Sequence, residues 1–228
     1  MIVDQSGFGL RALRDPRRSR TPAGAFALTI HPEILWALAV FAFVASITPG
    51  PNNLMLMMSG VKYGFGRTLP HLIGVILGFA VMIVLVGFGL DVIFERFPMA
   101  LPTVRIASSL YMFWLALKIA LARPIGPVEP GGRPIGFLAA AGFQWVNPKA
   151  WVMALSALST YAGIVDDYSR SVLLTASLCG LIAVPCSSAW ALFGASLSRL
   201  LRDPRVTRSF NWTMAALLIA SIAPTLFE

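Results

Sequence analysis

The sequence predicts an all-α membrane protein: six transmembrane helices arranged as two inverted three-helix repeats, with helices one and four broken. Three observations carry that expectation. Hydrophobic residues make up 57% of the 228-residue chain and charged residues 12%, whereas a soluble domain carries about 25% charged residues. The apolar residues fall into six runs, each near or above the roughly 20 needed to span hydrocarbon. The first and fourth runs contain prolines that a regular helix does not tolerate. No soluble domain of this length could bury that much apolar surface.

Residues 1–30 stand outside the pattern. Arg11, Arg14, Arg17, Arg18 and Arg20 lie among Gly, Ser and Pro, a composition that cannot build a core. They are expected to form a disordered basic tail. A signal peptide is disfavoured, because the following apolar run is too long and holds Pro-Gly-Pro where a small-residue cleavage site belongs. A non-Met start near Leu28 would remove the tail as an artefact, which the N-terminal mass of the purified protein would decide. The transmembrane domain is then 31–228, with repeat one at 31–123 and repeat two at 133–228.

Helix one, 34–60, is organised around Thr48-Pro49-Gly50-Pro51-Asn52-Asn53. Pro49 and Pro51 supply no backbone N–H, and their rings crowd the carbonyls of Ala45 and Ile47. At membrane depth those carbonyls need partners, so such a break survives only against protein or a water-filled cavity. Helix two, 69–92, carries Gly74 and Gly78 at small-xxx-small spacing, as do Gly60 and Gly64 just before it, which permits close helix contact. His71 follows Pro70 there and is a candidate proton relay or interfacial hydrogen bonder. Helix three, 101–122, ends near Lys118, whose head is expected to snorkel to an interface.

Helix four, 135–160, contains the second break, Gln144-Trp145-Val146-Asn147-Pro148-Lys149. Pro148 frees the carbonyl of Gln144, and Asn147 can cap the half-helix that follows. Lys149 is the ionisable residue placed well inside the bilayer, where insertion costs about 2.5–3.5 kcal/mol unless it faces a partner or water. Helix five, 171–198, holds Cys179 and Cys186, seven apart on one face and matching neither a zinc pattern nor Cys-x-x-Cys. Helix six is 206–227. Trp114, Trp190 and Trp212 are expected to pack or to anchor at interfaces.

Setting Pro51 against Pro148 aligns Leu54-Met55-Leu56-Met57-Met58-Ser59 with Trp151-Val152-Met153-Ala154-Leu155-Ser156. Three helices per half is an odd number, so the two halves insert in opposite directions. Matched interruptions in two halves point to a transporter site near the midplane. Lysines and arginines give the orientation: Lys62, Arg67, Arg123, Arg133, Arg199, Arg202, Arg205 and Arg208 share one side, against Arg96 and Arg170 on the other. That puts both termini outside, with the tail arginines voting the other way.

Asn52, Asn53, Gln144, Asn147 and Lys149 are the candidate substrate-binding residues, with Pro49, Gly50, Pro51 and Pro148 making the helix breaks. Half-helix N–H groups suit a carboxylate, while freed carbonyls and amides suit an ammonium. Such a site fits a small zwitterion. No metal ligand set, no cofactor and no catalytic residue are expected, and the net charge of +8 accompanies no nucleic-acid motif. Metal-cation efflux on the same fold wants carboxylates or thiolates, and a membrane lipid enzyme wants an acid–base or nucleophilic set; these are the alternatives.

The residues Thr48 to Asn53, Gly64-Phe65-Gly66-Arg67, Gly74 to Gly78, Tyr111 with Trp114 to Lys118, and Phe143 to Ala150 together resemble the lysine exporter (LysE/RhtB) family of bacterial amino-acid efflux proteins. The resemblance covers about residues 32–227. It implies export of amino acids or derivatives across the bacterial inner (plasma) membrane, driven by proton entry as an antiporter. The spacing of the helix-four stretch and Ala157 to Tyr161 are similar to the neutral-substrate branch, which exports cysteine, O-acetylserine, threonine or homoserine. The partners expected are a small amino acid and the lipid bilayer, with a homodimer left open.

Overall fold

The structure is a computed structural model that describes residues 31–90, 99–122, 132–161, 164–198 and 200–227. The expected tail, 1–30, and the linker residues Asp91, Glu95, Arg96, Arg123, Glu129 and Arg199 lie outside the described residues. Among the described residues the chain is helical and contains no strand.

Helix α1, Pro32–Ile47, opens on a proline at its first position, where the missing N–H would have had no intrahelical partner anyway. It stops at Thr48, since neither Pro49 nor Pro51 can continue the ladder. Gly50 is fully extended, and α2, Pro51–Tyr63, starts immediately after it, again on proline. The axes of α1 and α2 differ by 52°. Gly64 then ends α2 with φ of 79°, a left-handed conformation open to glycine at no steric cost, and α3, Phe65–Leu85, begins at the next residue. The expected linker between helices one and two is therefore a single residue. Lys62 lies in the last turn of α2, Arg67 in the first turn of α3, and Gly60 within α2. One left-handed residue is enough to interrupt a helix, so the charges that read as a loop are helical.

A π-helical turn, Val86–Leu90, extends α3. Then come α4, Ala100–Ala120; α5, Phe137–Phe143, prolonged by a 3-10 turn over Gln144–Val146; and α6, Pro148–Tyr161. Asp167 caps α7, Tyr168–Leu197, by accepting from the backbone N–H of Arg170 at 2.7 Å. A 3-10 turn, Leu200–Arg202, precedes α8, Pro204–Phe227.

Each of the six apolar segments thus coincides with a helix or a broken helix pair. Among the described residues, Phe65–Gly89 and Tyr168–Leu197 are long and apolar enough to cross a membrane, and α1 with α2 makes a third when taken as one bent span. The fourth apolar segment is divided at Asn147 into α5 and α6, while the third is the single helix α4. Near its end the Lys118 ammonium sits 4.3 Å from the centroid of the Trp114 ring, a cation–π placement.

Helix α7 is the hub, packed against α1, α2 and α3. Its approach to α2 is backbone to backbone: a Cβ on Gly60 would collide with the carbonyl of Ala191, and one on Gly194 with that of Met57. Gly74 and Gly78 of α3 meet Phe137 and Ala141 of α5 in the same way. Small residues let helices pack by van der Waals contact where lipid supplies no hydrophobic drive. One buried cluster joins Leu38, Met82, Ala154, Ile164 and Cys179, and another joins Leu54, Met57, Met112 and Leu218. Both cysteines are buried and free. The outer surface is apolar, with Leu138 81% and Leu181 69% exposed, as a chain solvated by lipid rather than water requires.

Candidate functional site

Five consecutive carbonyls, from Ala45 to Pro49, lose their regular helical partners at the first break, between Val44 and Gly50, which keep theirs. Each has a donor. The backbone N–H of Thr48 donates to Val44 at 3.1 Å and its hydroxyl to Ala45 at 3.1 Å. The Asn53 side-chain amide donates to Ser46 at 2.7 Å and to Thr48 at 2.9 Å. The Trp190 indole N–H, from α7, donates to Ile47 at 3.0 Å. Lys149 Nζ, from α6, donates to the Thr48 carbonyl at 3.1 Å and the Pro49 carbonyl at 3.2 Å, and the backbone N–H of Leu54 donates to Gly50 at 2.9 Å. Carbonyls in a low-dielectric interior must be paired, and here three helices supply the partners.

Lys149 also donates to the Thr48 hydroxyl at 2.8 Å. Its ammonium therefore has three oxygens for its three hydrogens, at the C-terminal end of α1, where the helix dipole favours a cation. Gly50 makes room for it: a Cβ there would lie 2.8 Å from Lys149 Cδ.

The second break closes on itself. The Asn147 N–H donates to the Gln144 carbonyl freed by Pro148, at 3.3 Å. The Trp151 indole N–H donates to the Trp145 carbonyl at 3.0 Å. Asn147 Oδ1 accepts from the backbone N–H of Lys149 at 3.1 Å, and the Asn147 carbonyl accepts from Ala150 and Trp151. That is an N-cap of the usual kind, and it leaves the start of α6 little N–H capacity for a ligand. The two breaks are joined again by amides: Asn52 Nδ2 donates to Gln144 Oε1 at 2.8 Å, and Gln144 Nε2 donates to Asn52 Oδ1 at 3.3 Å and to the Ala140 carbonyl at 2.9 Å.

A cavity of about 50 Å³ lies between the breaks. Gly50, Asn52 and Asn53 line it from the first break, Asn147 and Lys149 from the second. Gln144 is not in the lining but orients Asn52. His71 is buried in α3, outside the cavity lining, and its Nδ1 has no hydrogen-bond partner. Helices α3 and α7 complete the wall with Val75, Ile76, Phe79, Ala183 and Ser187. Sequence reasoning missed these and gave Trp190 only a packing or anchoring role. Ser187 is one of several small polar residues along α7, among them Ser171, Thr175, Ser177 and Ser188, so the sequence carried no signal that singled it out. Among the described residues no three of His, Cys, Asp and Glu come together as a metal site.

A family model described as LysE type translocator matches residues 43–226. A cysteine/O-acetylserine efflux protein of Klebsiella pneumoniae subsp. pneumoniae is 31% identical over 191 residues, which cover 82% of this chain and 94% of that protein. A protein of the same description from Escherichia coli O139:H28 is 32% identical over 194 residues, covering 82% and 95%. Another, from Salmonella typhimurium, is 30% identical over 191 residues with the same coverage. No solved structure matches the chain.

Proposed function

The chain belongs to the LysE type translocator family, and from that premise we propose that it exports small neutral amino acids or their derivatives across the bacterial inner membrane, driven by proton entry. The substrate class is that of cysteine, O-acetylserine, threonine and homoserine. Relatives described as cysteine/O-acetylserine efflux proteins support it. The observation that carries the proposal is the meeting of Asn52, Asn53, Asn147 and Lys149, drawn from two separate helix breaks, on one cavity. Amide donors and acceptors, an ammonium and a small volume suit a compact zwitterion and no larger ligand.

In this reading all six helical units cross the bilayer as two inverted three-helix repeats, with both termini outside. Asn52, Asn53 and Asn147 hold the polar groups of the substrate, Gln144 sets the Asn52 amide, and Lys149 answers the carboxylate. Rocking of one repeat against the other exposes the cavity first inward and then outward. His71, buried with an unpaired ring nitrogen, is the candidate proton relay. The test is efflux of preloaded radiolabelled cysteine, O-acetylserine, threonine and homoserine from proteoliposomes, with and without an imposed pH gradient. Gradient-dependent efflux of one or more of them is expected. Absence of flux for every amino acid tried, under either gradient polarity, would overturn the proposal.

A further inference from the structure

The Lys149 ammonium is bound as a ligand would be. Three oxygens of the first break, the Thr48 carbonyl, the Thr48 hydroxyl and the Pro49 carbonyl, surround it at 3.1, 2.8 and 3.2 Å. Gly50 supplies the space for its stem. A primary ammonium offers three N–H donors, and the α-ammonium of an amino acid is the same group. The neighbouring cavity, about 50 Å³, adjoins the space that the lysine side chain fills.

We propose that the Thr48–Pro49 oxygens form the receptor for the substrate's ammonium, and that Lys149 is a tethered competitor which occupies this receptor until substrate displaces it. This rests on the export reading above and adds an order of events. The incoming ammonium takes the three oxygens, Lys149 swings off them, and its freed charge pairs with the substrate carboxylate. Cation replaces cation, so no uncompensated charge is left at depth, which is the costly alternative. A simple amine can displace Lys149 but brings no carboxylate to receive it. Zwitterions are thereby selected over amines, and the empty cycle is held shut because the site is already filled.

A short tether keeps its competitor at an effective concentration of about mM or more, so removing it should unmask the receptor. The probe is radiolabelled ethanolamine, an ammonium with a short polar tail and no carboxylate, bound to the purified full chain in detergent. The variants are Lys149→Ala and Lys149→Gln, the second retaining N–H donors for the Thr48 and Pro49 carbonyls should the first fail to fold. Ethanolamine should bind either variant about tenfold or more tighter than native protein, since the receptor is no longer mostly self-occupied. Ethylene glycol, the uncharged isostere, should gain nothing, and adding Thr48→Val should reverse the gain. Amino-acid efflux by native protein is measured alongside. If native protein exports amino acids and folded variant binds ethanolamine no better, the competitor is disproved and the export reading stands. If the variants bind ethanolamine and native protein exports no amino acid, the oxygens remain an ammonium site, but its assignment to the substrate falls.

Discussion

The two helix breaks look alike in sequence and are held in opposite ways. At the second, the donors come from within: Asn147 caps α6 and takes the Gln144 carbonyl, and Trp151 reaches back to Trp145. At the first, only Thr48, Asn53 and Leu54 are local, and the Ile47 and Pro49 carbonyls depend on Trp190 and Lys149 from α7 and α6. A self-capped break is a rigid feature of one helix. A break completed from elsewhere is a joint, whose stability changes when the helices that complete it move. In the proposed alternating cycle, the first break is the part that can respond and the second is the part it responds to.

The sharpest way to break this contrast is Lys149→Ala. It removes the donor given to Pro49 and one of two given to Thr48, at about 1–3 kcal/mol for each polar group left unpaired. Thermal unfolding in detergent should shift down, and efflux should fall by about tenfold or more, the equivalent of 1.4 kcal/mol. Full activity in this variant would mean that the first break does not lean on α6. Next in size is Asn53→Ala, which strips the Ser46 carbonyl and halves the donors to Thr48. A loss of about 2 kcal/mol is expected, read as a lower midpoint in the same melt.

Asn147→Ala probes the other side of the comparison. Losing an N-cap costs about 1 kcal/mol, and because the second break is local the damage should stay local. Asn147→Asp, which can still cap, should recover the melting midpoint; failure to recover it would show that Asn147 acts through something other than its cap. The smallest effect is expected for the amide pair. A double-mutant cycle of Asn52→Ala and Gln144→Ala should give a coupling of about 0.5–1.5 kcal/mol, the net worth of an ordinary hydrogen bond. Zero coupling would mean that Lys149 alone joins the breaks.

The breaks were legible because proline and glycine act on the backbone within one turn, so Pro49, Pro51 and Pro148 announce themselves without knowledge of the fold. Asn147 as a cap follows from the same local chemistry. What Lys149 and Trp190 hold was not legible, since a side chain's partner 101 or 143 residues away depends on how helices pack. The α3 and α7 walls of the cavity were hidden for the same reason. The boundary at Gly64 was misplaced because Lys62 and Arg67 read as a loop, whereas the interruption needs only one residue with φ of 79°. His71 was singled out for its chemistry, and the fold buries it apart from the cavity lining.

Trp190 on the Ile47 carbonyl also sets a clock. The ribosome delivers Thr48 well before its partners: Lys149 lies 101 residues later, and Trp190 lies 143 residues beyond Ile47. At about 5–20 residues per second, the first break waits roughly 5–30 s for the helices that complete it. Throughout that interval the Pro49 and Ile47 carbonyls must be kept hydrated or borrowed by the insertion machinery. Nascent chains halted before residue 149 should therefore be the ones that quality-control proteases clear, and the joint should be the last part of the molecule to mature.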